Sequence, residues 1–143
     1  MKVLVTGATG FIGRHLVERL MTTGAHVKAL VRPAAQAAWL DALGAEIVRG
    51  DIGDADAVER AADKCRVVFH LAATTDSAGL LSTPDVQVAN IQGAENVTRA
   101  ALRADIERLV FCSSVAVYGR IARHRLIDEN TETDPDSPYG ESK

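Results

Sequence analysis

The chain has 143 residues, of which 47% are hydrophobic and 24% charged, and a formal net charge of −3. That length holds one domain with a sizeable core and is short for two. The charge gives no footprint for nucleic acid, which calls for a clustered positive excess, and no apolar run nears the roughly 18 residues that cross a bilayer. The start, MKVLV, is interrupted by Thr6 and Gly7 before it could form a signal-peptide core. A soluble protein of the cytoplasm is therefore expected. Cys65 and Cys112 are too few for a disulfide framework and lie in no metal-ligand spacing. Both sit in or beside apolar stretches and read as small buried thiols. Arg120, Arg123, His124 and Arg125 form a small basic run that suits a solvated loop or a charged substrate.

Short β-branched runs alternate with helical patterns along the whole length. Residues 2–6 read as a buried strand, and residues 11–23 as a helix with Ile12, Leu16 and Leu20 on one face, closing at Gly24. A strand over 27–31 precedes a short helix over 34–43. Strands at 46–48 and 67–71 flank a helix near 54–62. A long helix begins with Thr83 as its cap and Pro84 in its first turn, and runs to about Arg103. The fifth strand spans 109–113. Strands separated by helices in this way predict an α/β fold, a doubly wound parallel sheet covered on both faces. The one long irregular stretch, residues 119–136, has the length of a functional or mobile loop.

Gly7, Gly10 and Gly13 join the first strand to the first helix. Glycines there let the backbone turn tightly and approach a ligand, and Gly13 lets the helix pack close to the strand. The amides of Thr9, Gly10, Phe11 and Ile12 are expected to face a diphosphate, favoured by the helix dipole. The placement between a first strand and an amphipathic helix is what a dinucleotide fingerprint requires.

The chain closes on SPYGESK. Ser137 and Pro138 read as a helix cap and first position, which puts Tyr139 and Lys143 one turn apart on one face. A free phenol titrates near pH 10, so lowering it to about 7 takes roughly 4 kcal/mol of preferential phenolate stabilisation. A neighbouring ammonium is one source of it. Asn90 falls on a stripe with Val86, Gly93 and Val97, an amide among apolar neighbours that must find hydrogen-bond partners.

TGATGFIG, FCSSVAVYG and DPDSPYGESK, in this order, resemble the extended short-chain dehydrogenase/reductase family. The SPYG form is most similar to its NAD-dependent epimerase/dehydratase type, the nucleotide-sugar epimerases and dehydratases. The resemblance covers essentially the whole chain and implies a Rossmann-like dinucleotide-binding domain over 1–143. It also implies a longer parent chain, with the substrate-binding region beyond Lys143, a fifth strand left at the sheet edge, and a homodimer when full-length. It implies Ser114, Tyr139 and Lys143 as catalytic residues, with Asn90 as support or as a structural amide. A small-molecule substrate, a nucleotide sugar or a related alcohol or carbonyl compound, is expected.

For the cofactor, the resemblance points to Gly7, Gly10, Phe11, Ile12 and Gly13 at the diphosphate, and to Tyr139 and Lys143 at the nicotinamide ribose. Asp51 and Ile52 would meet the adenine, although Asp51 serves equally as the cap of the following helix. Leu71, Ala72 and Ala73 would let the cofactor lie close. Val31 stands where an NAD-type carboxylate is usual, and Arg32 follows it. An arginine there suits the 2′-phosphate of NADP, which makes NADP the preferred cofactor and NAD the alternative, unless Arg32 is only a surface residue. The rival function is a dinucleotide-binding redox sensor without catalysis. A third is an NADP-dependent ketone or aldehyde reductase.

Overall fold

Alternate residues of β1 (Lys2–Thr6) serve two separate cores. Val3 and Val5 pack with Val17 of α1 (Phe11–Thr22) and Leu40 of α2 (Ala38–Ala42). Leu4 packs on the opposite face with Val58 and Ala61 of α3 (Ala55–Ala62) and with Val97 and Ala100 of α4 (Gly93–Arg103). This is the period of two that a strand imposes when both its faces are covered.

A computed structural model of the chain describes residues 1–75, 84, 87–120 and 126–143. Its remaining strands are β2 (His26–Val31), β3 (Glu46–Arg49), β4 (Val67–His70) and β5 (Arg108–Phe111). All five are parallel, in the order β3-β2-β1-β4-β5. The doubly wound sheet expected from the sequence is therefore present. Its strand order reverses between β1 and β4, and in such sheets the crevice beyond the strand ends opens at that point.

Most element boundaries fall within a residue or two of the expectation. The exceptions have physical causes. The second helix forms only over Ala38–Ala42, because Nη1 of Arg49 collects the carbonyls of Arg32, Pro33 and Ala35 at 3.1, 3.4 and 2.8 Å. Those carbonyls are held in a turn and do not start a helix. Asp54 caps α3 by accepting from the amides of Asp56 and Ala57. Asp51 is not the cap; its side chain accepts from the Gly53 amide one turn earlier.

The long helix is not a regular one. A wide π turn, Gln87–Gln92, leads into α4. Pro84 is helical and exposed, while Thr83 and Val86 lie outside the described residues. The fifth strand ends at Phe111, and among the described residues it pairs with β4 alone. Val110 and Phe111 are accordingly exposed at that edge. Cys112, expected to be buried, is half-exposed for the same reason, whereas Cys65 is buried.

Lys28, at 4% exposure, is the one lysine in the sheet core among the described residues. Its ammonium donates to the carbonyls of Arg60 and Asp63 at 3.1 and 3.2 Å, where α3 ends and its carbonyls lack helical partners. Lys28→Met keeps most of the stem and removes both bonds. We expect it to lower stability by about 1–3 kcal/mol in urea unfolding, the range for stranding buried polar groups.

Candidate functional site

A cleft of about 390 Å³ opens where β1, β2, β3 and β4 end. Gly7 and Gly10 form its floor, Arg32 and Asp51 with Ile52 one wall, and Leu71, Ala72 and Ala73 the other. Eight residues singled out in the sequence thus share one concavity. The close approach is steric in origin. Gly7 has φ +70°, and a Cβ there would lie 2.6 Å from the Ala72 nitrogen. A Cβ on Gly13 would collide with the Gly7 carbonyl oxygen. Only bare backbone lets α1, β1 and the exit of β4 meet this closely.

Of the four amides expected to face an anion, that of Gly10 is taken up internally, donating to the Gly7 carbonyl at 3.0 Å. The amides of Phe11 and Ile12 open α1, where no preceding turn offers them a carbonyl. Their side chains are exposed at 82% and 58%, with the Phe11 ring edge-on to His15, and neither residue lines the cleft, which reaches the start of α1 at Gly10. Thr9 lines the cleft as well. The residues present therefore fit a dinucleotide. They provide a glycine floor with no Cβ in the way, a helix N-terminus above it and one cation on the wall.

Thr6 ties the two central strands together at the cleft. Its Oγ1 accepts from the Ala72 amide at 3.3 Å and lies 2.7 Å from Nδ1 of His70. The hydroxyl keeps a second lone pair and its own proton, so it pairs with Nδ1 in either tautomer of the neutral imidazole. Burial is the main reason the His70 pKa falls to about 4, with the nearby Lys143 ammonium adding to it.

Asn90, buried to 2% exposure, makes three bonds at once. Its Oδ1 accepts from the Thr74 amide at 2.7 Å, and its Nδ2 donates to the Thr74 carbonyl and the Ser142 hydroxyl at 3.1 and 2.9 Å. Ser142 in turn donates to the carbonyl of Tyr139 at 2.8 Å. Thr74 lines the cleft. A continuous hydrogen-bonded path thus runs from the cleft wall to the segment bearing Tyr139.

That segment is α5 (Pro138–Glu141), capped by the Ser137 side chain at the Gly140 amide as the sequence suggested. It is shorter than expected. Lys143 lies beyond its end and bonds back to Gly140 by its amide. The Lys143 ammonium stands 4.5 Å over the Phe111 ring, and burial pulls its pKa down. Ser114 lies three residues past the end of β5. It caps a 3₁₀ turn, Val115–Tyr118, accepting from the Ala116 amide at 3.2 Å. That turn and α5 are pressed together: a Cβ on Gly140 would lie 2.5 Å from the Ala116 carbonyl oxygen. The elements carrying Ser114 and Tyr139 are therefore neighbours. Arg120 pairs with Asp136 at 3.1 Å, and Arg123, His124 and Arg125 lie outside the described residues.

Sequence reasoning missed Thr6, His70 and Ser142. Each acts through a bond to backbone or to a residue far along the chain, and no spacing rule signals such a bond. Thr6 alone had a local cue, a hydroxyl ending an otherwise apolar strand.

A doubly wound parallel sheet with a glycine-floored cleft at its switch point defines a dinucleotide-binding Rossmann-type fold. The chain belongs to the NAD dependent epimerase/dehydratase family, whose model matches residues 3–143. It is 36% identical over 117 residues to a 4-hydroxy-2-methyl-3-oxo-4-farnesyl-3,4-dihydroquinoline-1-oxide ketoreductase of Stigmatella aurantiaca, covering 82% of this chain and 34% of that protein. It is 35% identical to a UDP-glucose 4-epimerase of Azospirillum brasilense, covering 99% of this chain and 41% of the relative. Among solved structures, the Thermus thermophilus UDP-glucose 4-epimerase complex with NAD superposes with a TM-score of 0.89 at 34% identity, over 100% of this chain and 47% of that one. The chain thus spans less than half the length of each of these relatives. Among the described residues no helix is long and apolar enough to cross a membrane.

His70 makes the site acid-sensitive. The unfolded chain takes up a proton near the ordinary histidine pKa of about 6.5, the folded chain only near 4. Between these values the unfolded state binds more protons, so stability is full above about pH 6.5 and is lost as pH falls toward 4. Urea unfolding across that window should show a loss of roughly 3 kcal/mol. His70→Gln should flatten this acid limb.

Proposed function

We propose that this chain forms the cofactor-binding and proton-transfer half of an NAD(P)-dependent enzyme. It would act on a nucleotide sugar or a related alcohol or carbonyl compound, in the manner of an epimerase, dehydratase or reductase. The observation that carries this reading is the hydrogen-bonded path from the cleft through Thr74, Asn90 and Ser142 to Tyr139. A module that only sensed a dinucleotide would need the cleft without that path.

A bound nicotinamide would supply the hydride exchange. The chain's own residues supply the rest. Gly7, Gly10 and the amides of Phe11 and Ile12 hold the diphosphate. Leu71, Ala72 and Ala73 keep the wall flat, and Ile52 with Asp51 meets the adenine. Tyr139 takes or returns the proton on the substrate oxygen, and Ser114 donates to that oxygen and orients it. Lys143 holds positive charge near the phenol and, with Tyr139, the nicotinamide ribose. Asn90 fixes the segment on which both stand. Residues 1–143 on this reading are the dinucleotide-binding domain of a longer, homodimeric enzyme. Substrate selection belongs to residues outside this chain.

Arg32 lines the cleft and is exposed at its mouth, which supports NADP over NAD. It also favours the ketone or aldehyde reductase as the second reading, in line with the likeness to the Stigmatella ketoreductase.

Two measurements test this reading. Fluorescence titration should show tighter binding of NADPH than of NADH, and the reverse order would remove Arg32 from the cofactor site. Tyr139→Phe should cut turnover by about 10²–10⁴-fold, the usual worth of a positioned proton donor, a far larger effect than its loss of cofactor affinity. Turnover that survives the substitution would remove Tyr139 from the catalytic role, whereas a parent protein that binds the cofactor without turnover would favour the sensor reading.

A further inference from the structure

We infer that Asn96 and Gly93 of α4 are positioning residues for the adenosine end of the cleft, acting through the Ile52 peptide. This rests on the cofactor reading above and adds to it the group that sets one wall of the site.

Ile52 sits on the loop after β3 and lines the cleft. Neighbours hold that loop at both ends, the Gly50 amide by the Val31 carbonyl at 3.1 Å and the Gly53 amide by the Asp51 side chain at 2.9 Å. Between them, the Ile52 carbonyl accepts from Nδ2 of Asn96 at 3.1 Å. Asn96 is 4% exposed, so its amide has no water to fall back on. One turn earlier on the same helix, Gly93 is buried against the Ile52 side chain. A Cβ there would lie 2.9 Å from Cγ1 and 3.1 Å from Cγ2. A donor and a missing side chain on one helix thus fix both the peptide and the side chain of one wall residue.

Without the Asn96 donor, a buried carbonyl would be left unpaired, and the peptide between Ile52 and Gly53 would rotate to find water. Rotation would carry Ile52 off its line along the cleft. With a methyl at residue 93, the Ile52 side chain would be pushed toward the cleft. The end of the ligand affected follows from topology. The diphosphate cradle lies at the start of α1, and the Tyr139 segment lies beyond β4 and β5. Adenosine is left to the β2–β3 side, where Ile52 stands.

The test uses Asn96→Ala, Asn96→Ser and Gly93→Ala, each compared with the parent protein by thermal melt and by titration with NADPH, AMP and reduced nicotinamide mononucleotide. AMP carries only the adenosine end, and the mononucleotide only the other. The expected result is a loss of about tenfold in affinity for AMP and NADPH, equivalent to ~1.4 kcal/mol, with the mononucleotide unchanged. Unchanged AMP affinity in a folded Asn96→Ala or Gly93→Ala protein overturns the inference. So does equal weakening of AMP and the mononucleotide, which would mark a general loosening. If none of the three variants folds, the pair is a requirement of the core, and the inference is again overturned. A parent protein that binds none of the three ligands would instead defeat the cofactor reading itself.

Discussion

The site depends on one steric constraint: Gly7 lies against the backbone of Ala72 with no room for a side chain. This contact joins the exits of the two central strands, and Gly13 then seats α1 on the Gly7 carbonyl. A Cβ would lie 2.6 Å from backbone at Gly7 and closer still at Gly13, nearer in both cases than a Cβ tolerates. The cleft therefore exists because a side chain is missing at two points, and its floor is peptide rather than side chain. Such a floor cannot change rotamer, which keeps its amides in place before any ligand arrives.

Polar ties fix what sterics leave free. Thr6 serves both the Ala72 amide and His70, so its one hydroxyl ties the β4 exit to β1 at two points. Asn90 performs the same service between Thr74 and Ser142. Both are buried groups whose bonds are satisfied internally, and such groups specify one geometry because any alternative leaves a donor or acceptor stranded. Among the described residues, no buried side-chain polar atom lacks a partner.

Much of this was legible in the sequence, because the fold is written in local patterns. The apolar runs gave the strands, the glycine triplet gave the first turn, and Ser137 with Pro138 gave the last helix start. Eight of the residues singled out for the cofactor line one cleft, since strand exits in a parallel sheet converge by topology alone. What stayed hidden depended on contacts between distant residues. The second helix begins late because Arg49, from the next strand, holds the preceding carbonyls. Ser114 caps a turn because β5 stops early. Lys143 meets the Phe111 ring because α5 ends after one turn. Asn96 resembled any polar residue of a surface helix until its bond to Ile52, 44 positions away in sequence, could be seen.

The hold of Arg49 on three carbonyls reaches beyond helix length. Three carbonyl oxygens gathered at one spot form a small negative pole, and this one sits in the turn that follows Arg32 at the mouth of the cleft. Left bare, it would repel an arriving phosphate. The guanidinium covers that pole and adds its own positive charge beside that of Arg32. The gateway is thus electrically tuned from a neighbouring strand, by a side chain whose described bonds are all to the turn itself.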